Sequence, residues 1–141
     1  MGGIVVVGVD GSETARKAAR AAADIATALS ARLHVVTAFS DERTEVVGSG
    51  SDKLVVSDAR RAENVARDVA VELRSETLEA DYFAIHGSPA QALIKQAEAH
   101  NAHMIVVGNK RMRGLGRVLG SVANTVAHSA PCDVYIVKTD Q

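Results

Sequence analysis

The sequence has little cysteine, no long apolar run and no excess of charge of either sign. Its one cysteine, Cys132, allows no internal disulfide, which fits a reducing compartment. No apolar run approaches the roughly 18 residues that a membrane helix needs, and the start of the chain shows no signal peptide. Lysine and arginine (16) nearly balance aspartate and glutamate (17), which argues against a nucleic-acid-binding protein. We therefore expect a cytoplasmic protein that binds neither membranes nor nucleic acid.

What is present is a regular alternation of β-branched runs and alanine-rich amphipathic segments. The 141 residues suit one domain, 1–141. Predicted strands fall at 4–9, 33–39, 81–86, 104–107 and 133–138, and predicted helices begin after residue 12, near 55, after 88 and near 121. The second helix is predicted over 55–77, and the polar stretch at about 40–53 is interpreted as a long flexible loop. The order β-α-β-α-β-α-β-α-β predicts an α/β fold, an open parallel five-stranded sheet of strand order 3-2-1-4-5 with helices on both faces.

Two helix starts carry explicit capping signals. Ser12 precedes the first alanine-rich segment and is a good N-cap. Ser88, Pro89 and Gln91 together predict a capping box with proline at the first helical position.

The segment at 106–122, VVGNKRMRGLGRVLGSV, combines glycine with positive charge. It contains four glycines and four cations, while 99–132 contains no aspartate or glutamate. Glycine permits unusual backbone angles and close approach of a ligand, and a helix that begins at Gly120 and Ser121 would attract an anion. Because ligands of such sheets bind beyond the carboxyl ends of the strands, Asp10 and this segment are predicted to share one crevice. The alternative is a flexible connection whose cations are solvated.

Several familiar catalytic and binding motifs are missing. The sequence has no G-x-x-x-x-G-K-[ST] phosphate loop, no dinucleotide fingerprint and no G-x-S-x-G nucleophile elbow. The histidines lack the partners of a metal site. A receiver domain would need an aspartate after the third strand, where His86 and Gly87 stand. We therefore predict no catalytic residues and no protein-held metal.

Three motifs resemble the universal stress protein family across nearly the whole chain. They are GVDGSE at 8–13, HGSPAQAL at 86–93 and VVGNKRMRGLGRVLGSVANTVAHSAPCDVYIVK at 106–138. ATP-binding members carry Gly, two residues, Gly, nine residues, then Gly-Ser or Gly-Thr; Gly108 matches the first position and Gly120-Ser121 the last. Arg111 replaces the middle glycine, and the following spacing is one residue shorter. The resemblance implies an adenine nucleotide alpha hydrolase-like fold and a role in stress response.

The resemblance also implies a ligand and its contacts. The ligand would be ATP, AMP or cyclic AMP, with or without Mg²⁺, and slow ATP hydrolysis would be incidental. The implied nucleotide-binding residues are Val9, Asp10, Ala38, Gly108, Lys110, Arg111, Gly120, Ser121 and Val122. In this set Asp10 lies beside the nucleoside, the backbone of Ala38 contacts the base, and the glycine segment holds the phosphates. For Asp10 the alternative remains that its carboxylate only bonds its own turn.

The last strand is the predicted partner surface. Relatives form homodimers through it, and 134–137 (VYIV) is an apolar run at an expected sheet edge, which tends to pair with another chain. Protection of the edge by Lys138 and Asp140 is the alternative. The rival to a nucleotide-binding protein is a dimeric adaptor of the same family that binds no nucleotide.

Overall fold

A computed structural model describes residues 2–40, 44–47, 54–109 and 119–139, with the backbone alone at 44–47 and 54–56. The strands are Ile4–Gly8 (β1), Arg32–Phe39 (β2), Thr44–Val47 (β3), Leu54–Ser57 (β4), Ala80–His86 (β5), Met104–Asn109 (β6) and Asp133–Lys138 (β7). The helices are Glu13–Leu29 (α1), Asp58–Leu73 (α2), Pro89–His100 (α3) and Ser121–Ser129 (α4).

Five of the strands form a parallel sheet in the order β5-β2-β1-β6-β7. Numbered among themselves along the chain, these strands have the order 3-2-1-4-5, which confirms the predicted topology. The strand order reverses between β1 and β6, because the chain first adds strands on one side of β1 and then on the other. This reversal point opens a crevice at the carboxyl ends of the two strands.

The helices cover both faces of the sheet, as the sequence predicted. Val5 and Val7 face the layer of α1 and α2, while Val6 faces the layer of α3 and α4. All three valines are fully buried, and each stabilises the fold by about 1.5–3 kcal/mol relative to an exposed position. Five alanines of α1 are also buried, and their small side chains bring this helix close to the sheet: Ala18, Ala19, Ala22, Ala23 and Ala26.

Both predicted caps are confirmed. The Ser12 hydroxyl accepts a hydrogen bond from the backbone N–H of Ala15 at 3.1 Å. At α3, the Ser88 hydroxyl accepts from the N–H of Gln91, and the Gln91 side chain accepts from the N–H of Ser88, so the capping box is complete.

The region between β2 and α2 differs from the prediction. Within the interval predicted as a loop at 40–53, residues 44–47 form β3, and they pair antiparallel with β4 at 54–57, which was assigned to the start of a helix. The helix itself begins at Asp58, where the Ser57 hydroxyl caps it, and ends at Leu73 rather than at 77. It ends there because Arg74 is extended, with φ −62° and ψ 143°. The β-branched Val55 and Val56 favour the strand over the helix.

A buried histidine lies between the sheet and α3. His34 on β2 is 4% exposed, and its Nδ1 accepts a hydrogen bond from Gln96 Nε2 at 2.9 Å. Its ring packs against Phe83 and edge-on against His100, with ring centroids 4.7 and 4.9 Å away. Burial, and secondly the charge of His100, lower the pKa of His34, while Asp81 acts in the opposite direction.

Candidate functional site

A crevice of about 370 Å³ lies at the carboxyl ends of β1 and β6, where the strand order reverses. Its volume is in the range that small-molecule sites occupy. The β1 exit, the starts of α1, α3 and α4, and the residue after β7 all contribute to its wall. The lining residues are Gly8, Val9, Asp10, Ser12, Thr14, Ala15, Val36, Ala38, Pro89, Leu93, Val107, Gly108, Val122 and Thr139.

Asp10 forms the turn that leads from β1 into α1. Its Oδ1 accepts hydrogen bonds from the backbone N–H of Ser12 at 3.0 Å and from the Ser12 hydroxyl at 2.6 Å. Gly11 between them has φ +90°, a conformation that side-chained residues rarely adopt. The Asp10 carboxylate therefore organises its own turn through Oδ1, and the residue also lines the crevice.

Gly108 ends the apolar part of β6 and forms part of the floor of the crevice. Glycine permits unusual backbone angles, but neither Gly108 nor Gly120 has a positive φ. The reason for glycine at position 108 is space. A Cβ there would lie 3.0 Å from Thr139 Cγ2 and 3.3 Å from Ala18 Cβ.

The start of α4 offers backbone donors that have no acceptor within the helix. Gly120 is the N-cap residue and no side chain caps the helix. The first intrahelical bond runs from the N–H of Asn124 to the carbonyl of Gly120, so the amides at 121–123 have no acceptor within the helix. The N–H of Gly120 itself donates to Asn109 Oδ1 at 2.6 Å. The buried Asn109 at the end of β6 thus holds the helix start in place and leaves the next three amides available to an anion.

The structure brings most of the predicted site residues to one place. Five of them line the crevice: Val9, Asp10, Ala38, Gly108 and Val122. Gly120 and Ser121 lie at the helix start immediately before Val122 and are not part of the wall. Lys110 and Arg111 lie outside the described residues.

Two residues that sequence reasoning missed are important in this geometry. Asn109 fixes the start of α4, and Thr139 contributes to the crevice wall beside Gly108. The sequence contains a weak signal for Asn109, because this polar residue follows a buried strand within the segment at 106–122. The sequence contains no signal for Thr139, because it stands 30 positions after Asn109. Only strand pairing brings the two residues together, and the backbone N–H of Thr139 donates to the carbonyl of Asn109 at 3.1 Å.

Other reactive groups stand apart from the crevice. Burial, followed by the neighbouring charge of Asp133, raises the pKa of the partly buried Cys132 thiol, so this cysteine is a poor nucleophile. No cluster of three or more potential metal ligands occurs among the described residues. Over the same residues, none of the helices has the length and apolar character needed to span a membrane.

The chain resembles known proteins over nearly all of its length. The model of the universal stress protein family matches residues 1–138. A universal stress protein of Mycobacterium tuberculosis (strain H37Rv) is 34% identical over 149 residues, covering 96% of this chain and 95% of that one.

Solved structures agree with this. A crystal structure of a universal stress protein in complex with cAMP is 31% identical, with a TM-score of 0.68 and 97% of each chain covered. The universal stress protein UspA from Lactobacillus plantarum has a TM-score of 0.72 at 21% identity, covering 96% of this chain and 97% of that one; this likeness concerns the fold.

Proposed function

The chain belongs to the universal stress protein family, and we propose that its crevice binds an adenine nucleotide. ATP is the proposed ligand, with AMP and cyclic AMP as the related choices. In this proposal the protein acts in the cytoplasm as a homodimer, and nucleotide binding serves the stress response as a signal or a store rather than as metabolism.

One observation carries the proposal: the uncapped start of α4 and the Asp10 turn border the same crevice. Three amides without an acceptor in the helix, together with the helix dipole, favour a phosphate at this end. A carboxylate at the other end is a good acceptor for ribose hydroxyls. The relative whose structure contains cAMP, at 31% identity, supports the choice of an adenine nucleotide.

The remaining contacts follow from the order in which residues stand along the crevice wall. Ala38, at the end of β2, lies on the side of the crevice away from α4, and we assign the base to its backbone. Gly108 then lies between base and phosphates, and the amides of Ser121 and Val122, which follow the N-cap residue Gly120, receive the phosphates. Lys110 and Arg111 are proposed as counter-charges. If Mg²⁺ accompanies ATP, phosphates and waters would supply its ligands, because the Asp10 carboxylate is assigned to the ribose.

The proposal is tested by calorimetric titration of the full chain with ATP in the presence and absence of Mg²⁺, and with AMP and cAMP. Gly120→Ala is the informative variant. A Cβ at this position would lie 3.1 Å from Asn109 Oδ1, so the methyl group displaces the Asn109 side-chain amide, which positions the helix start. Because the φ of Gly120 is −66°, alanine is compatible with the backbone and the fold should persist. We expect affinity to fall roughly tenfold or more, since the phosphate donors move.

Ser129→Ala is the matched control, because it changes the exposed last turn of the same helix. It should bind like the wild type. Equal affinity of Gly120→Ala and the wild type would place the phosphates elsewhere.

The second candidate is an adaptor that binds no nucleotide. It is favoured by Arg111, which stands where ATP-binding members have glycine, and by the shorter spacing that follows it. Absence of heat at millimolar ligand for all three nucleotides would support this candidate. A gain of affinity in Arg111→Gly would instead show that the arginine obstructs a working site.

A further inference from the structure

Among the residues that the structure describes, two buried side-chain oxygens have no hydrogen-bond partner. They are the hydroxyls of Thr37 and Thr139, in side chains that are 7% and 5% exposed. A buried hydroxyl without a partner destabilises a protein, because it has lost its hydrogen bonds to water and gained none. Such groups are rare in native proteins, and each of them calls for an explanation.

Thr139 lies at the wall of the crevice. It follows β7 directly, and its backbone N–H donates to the carbonyl of Asn109 at 3.1 Å, which holds the residue beside the end of β6. Its side chain is next to Gly108: the position of a Cβ on that glycine is 3.0 Å from Thr139 Cγ2 and 3.6 Å from Thr139 Oγ1. The unpaired hydroxyl therefore lies beside Gly108, which also lines the crevice.

Thr37 provides the contrast within the same molecule. It precedes Ala38 on β2, which lies two strands away from β6 in the sheet. It lines a separate depression with Asp58 and Arg61 instead of the crevice. The two threonines thus share burial and an unpaired hydroxyl, and differ in that only Thr139 belongs to a residue set that lines the crevice.

We propose that the Thr139 hydroxyl donates a hydrogen bond to an oxygen in the sugar–phosphate part of the bound nucleotide; this inference rests on the proposed function. The base is assigned to the side of Ala38 and the phosphates to the start of α4, so the portion of the ligand that passes Gly108 is the sugar and the adjoining phosphate. Oxygens of this portion are acceptors. The hydroxyl is unpaired in the free protein and becomes paired in the complex, which makes Thr139 a ligand-binding residue.

The test compares Thr139→Val, Thr139→Ser and Thr37→Val in the full chain. Valine has nearly the shape of threonine without the hydroxyl, so both valine variants should raise the midpoint of thermal unfolding of the ligand-free protein by about 2 to 6 °C. Titration of whichever of ATP, AMP and cAMP binds the wild type should show about 5- to 15-fold weaker binding for Thr139→Val. Thr37→Val should bind like the wild type, and Thr139→Ser should stay within about threefold of it.

The combination of higher stability and lower affinity in Thr139→Val alone supports the inference, because a purely structural residue would not move the two in opposite directions. Wild-type affinity in Thr139→Val overturns the inference and leaves the proposed function standing. Failure of the wild type to bind any of the three nucleotides overturns the proposed function, and this inference with it.

Discussion

Substitution of Gly108 by alanine tests whether space is the reason for glycine at the crevice floor. The added Cβ would lie 3.0 Å from Thr139 Cγ2 and 3.3 Å from Ala18 Cβ. Both neighbours are buried and held by backbone, Ala18 on α1 and Thr139 directly after β7, so neither is free to move aside. Overpacking of this kind destabilises a core by about 1–3 kcal/mol. The lower unfolded-state entropy of alanine offsets about 0.5–1 kcal/mol of it.

We therefore expect Gly108→Ala to reduce the free energy of unfolding by about 1.3 kcal/mol, the middle of the range that remains after this offset. For a chain of this length the midpoint of thermal unfolding should fall by roughly 3 to 7 °C. The measurement is urea and thermal unfolding followed by circular dichroism, without nucleotide. The loss should be smaller when Thr139 is serine, because serine lacks the Cγ2 atom that makes the shortest contact. In that background we expect the cost of Gly108→Ala to fall by about half, since the Ala18 contact remains.

Gly8→Ala is the control for this cycle. Its Cβ would meet Leu93 Cδ2 at 3.2 Å, on the helix layer of α3. Its effect should therefore be the same with Thr139 or with serine at that position. If Gly108→Ala and Thr139→Ser are additive within about 0.3 kcal/mol, the contact between these two residues is not the reason for glycine, and the steric argument fails.

Two further predictions concern the sheet edge and the buried histidine. Tyr135 on β7 is 49% exposed, and Tyr135→Lys should convert the proposed dimer to a monomer in analytical sedimentation. Val71→Lys is the control, because it changes a similarly exposed apolar residue on α2, and it should leave the dimer intact. A Tyr135→Lys variant that stays dimeric would exclude this edge as the interface. Burial lowers the folded-state pKa of His34 below the ordinary 6.5, so the unfolded chain takes up the proton first and stability falls as the pH drops below 6.5. Thermal unfolding from about pH 7.5 to about pH 5 should show a steeper loss for the wild type than for His34→Gln, and parallel curves would contradict the linkage.

The local elements could be predicted closely because their signals lie within one turn or one strand. The caps at Ser12 and Ser88 are contacts between residues three apart, so the sequence displays both partners. The order of strands and helices follows from apolar periodicity, and a parallel sheet with right-handed crossovers follows from that order. The hairpin of β3 and β4 was missed because its strands are four residues each, which is too short for a periodic pattern to distinguish from a loop or a helix end.

The site could be predicted only in part. Asp10, Gly108 and Val122 were found because each stands at the end of a predicted strand or the start of a predicted helix. The role of Asn109 could not be predicted, because its hydrogen-bond partner Gly120 lies 11 residues further along the chain. The steric reason for glycine at 108 could not be predicted either, because sequence alone does not distinguish a need for backbone freedom from a need for space.

The sequence by itself determined the family, the alternation of strands and helices, and the end of the sheet at which a ligand would meet the chain. These depend on apolar periodicity, caps and motifs, which are properties of short segments. The tertiary structure decided which distant residues share the crevice wall, and it alone brought the unpaired hydroxyl of Thr139 beside Gly108. The physical reason is that strand pairing joins segments far apart in the chain, and whether a buried polar group finds a partner depends on all the elements packed around it.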